Sequence, residues 1–100
     1  MAYQVTLSRL ARRDLKDIVG YISLDSPDRA SDLGLFLVSK AKVLGEHPEI
    51  GRAVPEFGDT AIREVIIRSY RVVYRVNHER QRVEIIRFWH GRRGVPNLLQ

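Results

Sequence analysis

Cleavage of RNA by internal attack of a 2′-hydroxyl needs a group to accept that proton, another to protonate the leaving oxygen, and cations to offset charge on the phosphate. Arg71, His90 and Glu56 are of the types those roles require. The chain has no cysteine, which removes a thiol nucleophile, a disulfide framework and a thiolate metal site together. His47 and His78 stand isolated in loop settings, so neither a metal nor another cofactor is expected.

The charge is unevenly spread. Residues 1–61 carry eight basic and nine acidic side chains, whereas residues 62–100 carry nine arginines against three glutamates, and the net charge is +5. A basic C-terminal half faces either nucleic acid or an acidic protein partner, unless it is a solvated sheet surface. The candidate contacts are the arginines of the last strands and their ending: Arg63, Arg71, Arg75, Arg87, Arg92 and Arg93, with Trp89 as an interface anchor and His90 beside it.

Elements that hold these residues can be read along the chain. Tyr3, Val5 and Leu7 alternate with Gln4 and Thr6, the period of a strand with one buried face. Ser8 then caps a helix whose apolar positions are Leu10 or Ala11, Leu15, Ile18 and Ile22, with Arg9, Arg12, Arg13, Lys16 and Asp17 opposite. Ser26-Pro27-Asp28 starts a second helix, since serine caps, proline fits the first turn and aspartate suits the positive dipole end. Ala30, Leu33, Leu37, Ala41 and Leu44 form its buried stripe, ended by Pro48.

Residues 48–60 read as an ordered loop. Ile62 to Ile67, Tyr70 to Val76 and Val83 to His90 read as three strands joined by short hairpins. The expected fold is α+β in the order β-α-α-β-β-β, a helical hairpin packed on a mostly antiparallel four-stranded sheet. One domain over residues 1–93 and a loosely held tail over 94–100 are expected. Tyr21, Phe36 and Tyr74 fall in apolar patterns and are assigned to the core. On the Tyr70–Val76 strand, alternation puts Arg71, Val73 and Arg75 on one side and Tyr70, Val72, Tyr74 and Val76 on the other; on the last strand it pairs His90 with Ile86 and Phe88, and Arg87 with Trp89, unless a bulge intervenes.

The longest apolar run, Leu33 to Val38, is far shorter than the about 20 residues of a membrane span, and no signal peptide is visible, so the expected location is the cytoplasm.

Several blocks, in order, resemble the ParE/RelE toxins: Ala11, Asp14-Leu15, Ile18 and Tyr21-Ile22; Glu46-His47-Pro48 with Gly51; Pro55-Glu56-Phe57; Ile62-Arg63-Glu64; Tyr70 to Val76; and Val83 to Arg93. The resemblance spans residues 3–93 and is sharpest at Tyr70-Arg71-Val72-Val73-Tyr74 and Arg87-Phe88-Trp89-His90-Gly91. It implies a bacterial toxin neutralised by a cognate ParD-like antitoxin, whose C-terminal segment wraps the helices and sheet, in a heterotetramer. ParE-like members poison DNA gyrase; RelE-like members cleave messenger RNA on the ribosome.

Arg71 and His90 match positions that are functional in some RNase members, and Glu56 matches more loosely. Those members also commonly carry lysines in the middle segment and an aromatic residue past the last strand. Here Lys16, Lys40 and Lys42 all fall in the expected helices and Gly91 follows His90. That departure counts against catalysis, and the Glu46-His47-Pro48 and Ile62-Arg63-Glu64 blocks with the Trp89-His90-Gly91-Arg92-Arg93 ending make the resemblance closer to the ParE branch, with the endoribonuclease, metal-independent and centred on Arg71 and His90, as its rival.

Overall fold

The computed structural model describes residues 2–58 and 61–98. Strand β1 (Gln4–Leu7) is followed by helices α1 (Arg9–Ser23) and α2 (Pro27–Val43), then by β2 (Arg52–Ala53), β3 (Ile62–Ile67), β4 (Tyr70–Asn77) and β5 (Arg82–His90). Both helix starts have the caps read from sequence. Ser8 accepts from the Ala11 N–H at 3.0 Å, and Ser26 accepts from the Arg29 N–H at 3.3 Å.

The sheet has five strands in the order β1-β5-β4-β3-β2, one more than the sequence suggested. The addition is the two-residue β2, which pairs with β3 at Arg52 opposite Glu64 and Ala53 opposite Arg63. Two residues carry too little periodicity to be read as a strand; their pairing with β3 creates it. β1 runs parallel to β5 and every other pairing is antiparallel. The β3–β4 turn is Arg68-Ser69, with Arg68 in the left-handed region at φ 56°.

One face of the sheet packs on the helical hairpin. Ala11, Leu33, Leu37, Ala41 and Leu44 meet Val72, Tyr74, Val76, Val83, Ile85 and Phe88 there. The other face has its own small cluster of Val54, Ile62, Val73 and Ile86, onto which Phe57 and Leu98 pack. Next to Leu98, Pro96 is buried, and the Gly94 carbonyl accepts bonds from Arg71 Nη1 at 3.2 Å and Trp89 Nε1 at 3.1 Å. Leu99 and Gln100 lie outside the described residues, as do Asp59 and Thr60 of the loop before β3.

Tyr21 departs from its assignment to the core. It is 72% exposed near the end of α1, whereas Tyr74 is fully buried. Phe36 is half-buried, its ring under the Arg68 guanidinium at 4.1 Å.

Candidate functional site

A bulge decides which way the β5 side chains point. Val73 pairs with Arg87, but the next residue, Tyr74, pairs with Ile85, so Ile86 has no opposite partner. Val83 and Ile85 face the helices; after the extra residue, so does Phe88, while Ile86 belongs to the opposite cluster. Simple alternation, which joined Ile86 to Phe88 and His90, fails at this point.

Beyond the bulge, Arg71 stands opposite Trp89 and Tyr70 opposite His90. Residues directly opposite in an antiparallel pair share a face. Trp89 and Arg71 therefore lie with Val73 on the face away from the helices. His90 lies with Tyr70 and Phe88 on the helix face, its ring edge-on to Tyr70 at 5.3 Å. His90 Nδ1 accepts the Arg92 N–H at 3.1 Å, so the neutral imidazole carries its proton on Nε2. Burial pushes the Tyr70 phenol above its ordinary range. Glu56 is exposed in the short 3-10 turn Pro55–Phe57. The three residue types suited to RNA cleavage thus do not converge.

Arg71 is also committed internally. Its Nε donates to Glu64 Oε1 at 2.6 Å and its Nη1 to the Gly94 carbonyl, while Nη2 is buried with no hydrogen-bond partner among the described residues. Glu64 receives Arg52 on its other oxygen, Nε to Oε2 at 2.7 Å. Burial by itself raises the Glu64 pKa, but the bonds and charges of Arg71 and Arg52 outweigh it and hold the carboxyl below its ordinary range.

The other candidates divide by exposure. Arg87 is buried: Nε and Nη2 donate to the two oxygens of Asp14 at 2.7 and 2.8 Å, and Nη1 donates to the Asn97 carbonyl. Arg63 Nη1 donates to the Gly51 carbonyl at 2.8 Å and helps hold the loop before β2. Trp89 is buried under the Arg93 guanidinium, 3.7 Å from the ring. Arg75, Arg92 and Arg93 are exposed.

Both acids that engage these arginines stand in the blocks that carry the family resemblance, and their burial has a signal of its own in the sequence. Asp14 sits on the buried stripe of α1, three residues after Ala11 and four before Ile18. Glu64 has the same strand parity as the buried Ile62. An acid on an apolar face implies an internal cation.

The loop motif is equally explicable. Tyr74 Oη donates to the Pro48 carbonyl and accepts the Gly51 N–H, each at 2.8 Å. A Cβ on Gly51 would lie 2.5 Å from that hydroxyl and 2.6 Å from the Glu64 carbonyl oxygen. Close approach, not a special turn, requires glycine there.

Alongside His90 runs a groove of about 370 Å³ whose apolar wall is Ile18, Tyr21, Ile22, Tyr70 and Phe88. Leu24, 88% exposed, extends it past the end of α1.

The family model for the ParE toxin of the type II toxin-antitoxin system, parDE, matches residues 5–95. The chain belongs to the ParE toxin family. Among solved structures it is similar to the chromosomal ParDE toxin-antitoxin system of P. aeruginosa, with TM-score 0.73 and 20% identity over 89% of this chain and 96% of that one. It is also similar to the RelBE2 toxin-antitoxin complex of Mycobacterium tuberculosis, with TM-score 0.68 and 24% identity over 90% and 99% of the two chains. A mutant of the E. coli toxin RelE in the free state gives TM-score 0.60 and 24% identity over 94% and 88%. At these identities the likeness is one of fold, which the ParE and RelE structures share. No curated protein matches the chain. No helix among the described residues is long and apolar enough to cross a membrane.

Proposed function

We propose that this ParE-family chain acts as a toxin that inhibits DNA gyrase and is neutralised by a cognate ParD-like antitoxin, the two forming a heterotetramer in the cytoplasm. The separation of Arg71 from His90 carries this reading. The two residues on which an RNA-cleaving centre would depend sit on opposite faces of the sheet. Arg71, moreover, is tied to Glu64 and Gly94 and has only its buried Nη2 free of protein partners. A general acid and its phosphate-binding cation must reach one substrate atom cluster together, and this geometry works against it. The family match and the ParDE likeness point the same way.

For the antitoxin, the groove beside His90 supplies the seat. Tyr21 and Leu24 expose their apolar surface next to Ile18 and Ile22, a stripe suited to an amphipathic helix. Arg92 and Arg93, exposed just beyond β5, are free to engage gyrase or acidic antitoxin side chains.

The test is pulse-labelling of bacteria in the first minutes after this chain alone is induced, with thymidine and methionine followed in parallel. The expected result is an early fall in DNA synthesis, and His90→Ala keeps that effect. An early collapse of protein synthesis that His90→Ala and Arg71→Ala both abolish, with each variant still folded, would replace this reading with the ribosomal endonuclease.

A further inference from the structure

The excess positive charge of the chain is concentrated on one surface. Arg9, Arg12, Arg13 and Lys16 recur along α1 at steps of three, one and three residues, which places them within one arc about 100° wide on a helix of ~3.6 residues per turn. All four are exposed on the side turned away from Ala11 and Asp14. Arg13 and Arg93 line one cleft with Leu10 and Trp89, so the α1 stripe continues into the Gly91–Arg93 turn. Arg92 is exposed on that same turn.

The nearby acids do little to cancel this. Asp14 is consumed by Arg87 inside the fold, and Asp17 is the one exposed carboxylate on α1. Six cations and Asp17 leave +5, the whole net charge of the chain; the other eleven basic and eleven acidic side chains balance. Among the described residues none of the six enters an ion pair.

We infer that this surface, the outer face of α1 with Arg92 and Arg93, docks the phosphate backbone of a nucleic-acid duplex. The span from Arg9 to Lys16 is about 10 Å along the helix, and duplex DNA offers one negative charge per about 1.7 Å of axis, so the stripe meets several phosphates together. The α1 sequence contains no Asn or Gln for base edges, and the indole nearest the stripe, Trp89, is buried beneath Arg93. The expected contacts are therefore to phosphates, and the affinity is dominated by charge. The inference does not rest on gyrase being the target.

Fluorescence anisotropy of the purified chain with a labelled 20-base-pair duplex, as DNA and as RNA, between 50 and 200 mM NaCl tests it. Binding should weaken by about a hundred-fold or more over that range, in line with roughly four to six phosphate contacts. The double variants Arg9→Gln/Arg12→Gln, Arg13→Gln/Lys16→Gln and Arg92→Gln/Arg93→Gln should each cost about ten-fold at low salt and flatten the salt slope by about 2. Glutamine keeps the helix propensity of α1, and a thermal melt checks each fold. Tighter binding of the DNA or of the RNA duplex identifies the source of the phosphates. No binding to either at 50 mM, double variants that bind like the parent, or binding to poly-glutamate but not to a duplex would each overturn the inference, the last in favour of an acidic protein.

Discussion

Asp14 and Arg87, 73 residues apart, form a two-pronged buried ion pair at the edge of β5 that β1 leaves open. β1 pairs only as far as Ile85; Ser8 then takes the next two positions, its N–H bonding the Ile85 carbonyl and its hydroxyl the Ile86 carbonyl. Asp14 Oδ2 also accepts the Phe88 N–H at 3.1 Å, a bond that a neighbouring strand would otherwise make. One carboxylate thereby satisfies the strand edge and fixes α1 against it.

Removing either charge should be costly, because the other is left buried and uncompensated. Asp14→Asn or Arg87→Gln is expected to lower stability by about 3–5 kcal/mol in urea denaturation. Arg87→Met alone removes the cation and leaves Asp14 with only the Phe88 N–H, and should be comparably destabilised. The double variant Asp14→Leu/Arg87→Met should recover part of the loss, but not all, since Phe88 N–H then lacks an acceptor. Full additivity of the single losses would show that the two side chains do not act as a pair.

Tyr74 and Gly51 make a second coupled pair. Burial pushes the Tyr74 phenol above its ordinary range, so it stays neutral and serves both as donor to Pro48 and acceptor from Gly51. Tyr74→Phe leaves both backbone groups without that partner and should cost about 1–3 kcal/mol. Gly51→Ala forces Cβ against the hydroxyl and against the Glu64 carbonyl, at a similar or greater cost. In the Tyr74→Phe background Gly51→Ala should be milder yet still destabilising, because the Glu64 carbonyl remains; equal costs in both backgrounds would sink this account.

How far the sequence reveals these relationships depends on their range. Ser8, Ser26 and Pro27 mark the helix starts because capping is local chemistry. The strands around Val65, Val72 and Ile85 emerge from β-branched runs, with boundaries within one residue. β2 exists only because Arg52 and Ala53 meet β3, and the bulge at Ile86 only because β5 must serve β1, α1 and β4 together. Neither has a local period to read. The faces of Arg87, Trp89 and His90 depended on that bulge, so the site was the least legible part. Tyr21 had helical spacing but stands on the wall of the groove beside His90, where most of its surface is exposed.

The Glu64 cluster gives a pH signature. Its folded-state pKa is lowered from an ordinary value of 4.5, so its stabilisation is fully present above that value and is lost as pH falls through the folded pKa. Glu64→Gln should be less stable than the parent at pH 7, with Arg71 and Arg52 deprived of their counter-charge. The gap should narrow steadily below pH 4.5. A gap constant from pH 7 to pH 3 would mean that the carboxylate is not the stabilising species.

The docked tail can be tested through Trp89, the chain's one tryptophan. Its indole is buried, donates to the Gly94 carbonyl and lies beneath Arg93, while Leu98 closes the cluster of Val54, Ile62, Val73 and Ile86 on the same face. Ending the chain after Arg93 removes the Gly94 acceptor from Trp89 and Arg71 together, takes the Asn97 carbonyl from Arg87 and uncovers that cluster. The expected results are a red-shifted, more quenchable tryptophan emission and a stability loss of about 2 kcal/mol or more, on the scale of one exposed leucine side chain and an unmade buried bond. Leu98→Ala separates the two contributions: it should lower stability while leaving the emission near that of the parent, because Gly94 still holds the indole. Unchanged emission and stability in the shortened chain would show that residues 94–98 only rest on this face and that Arg71 is held by Glu64 alone.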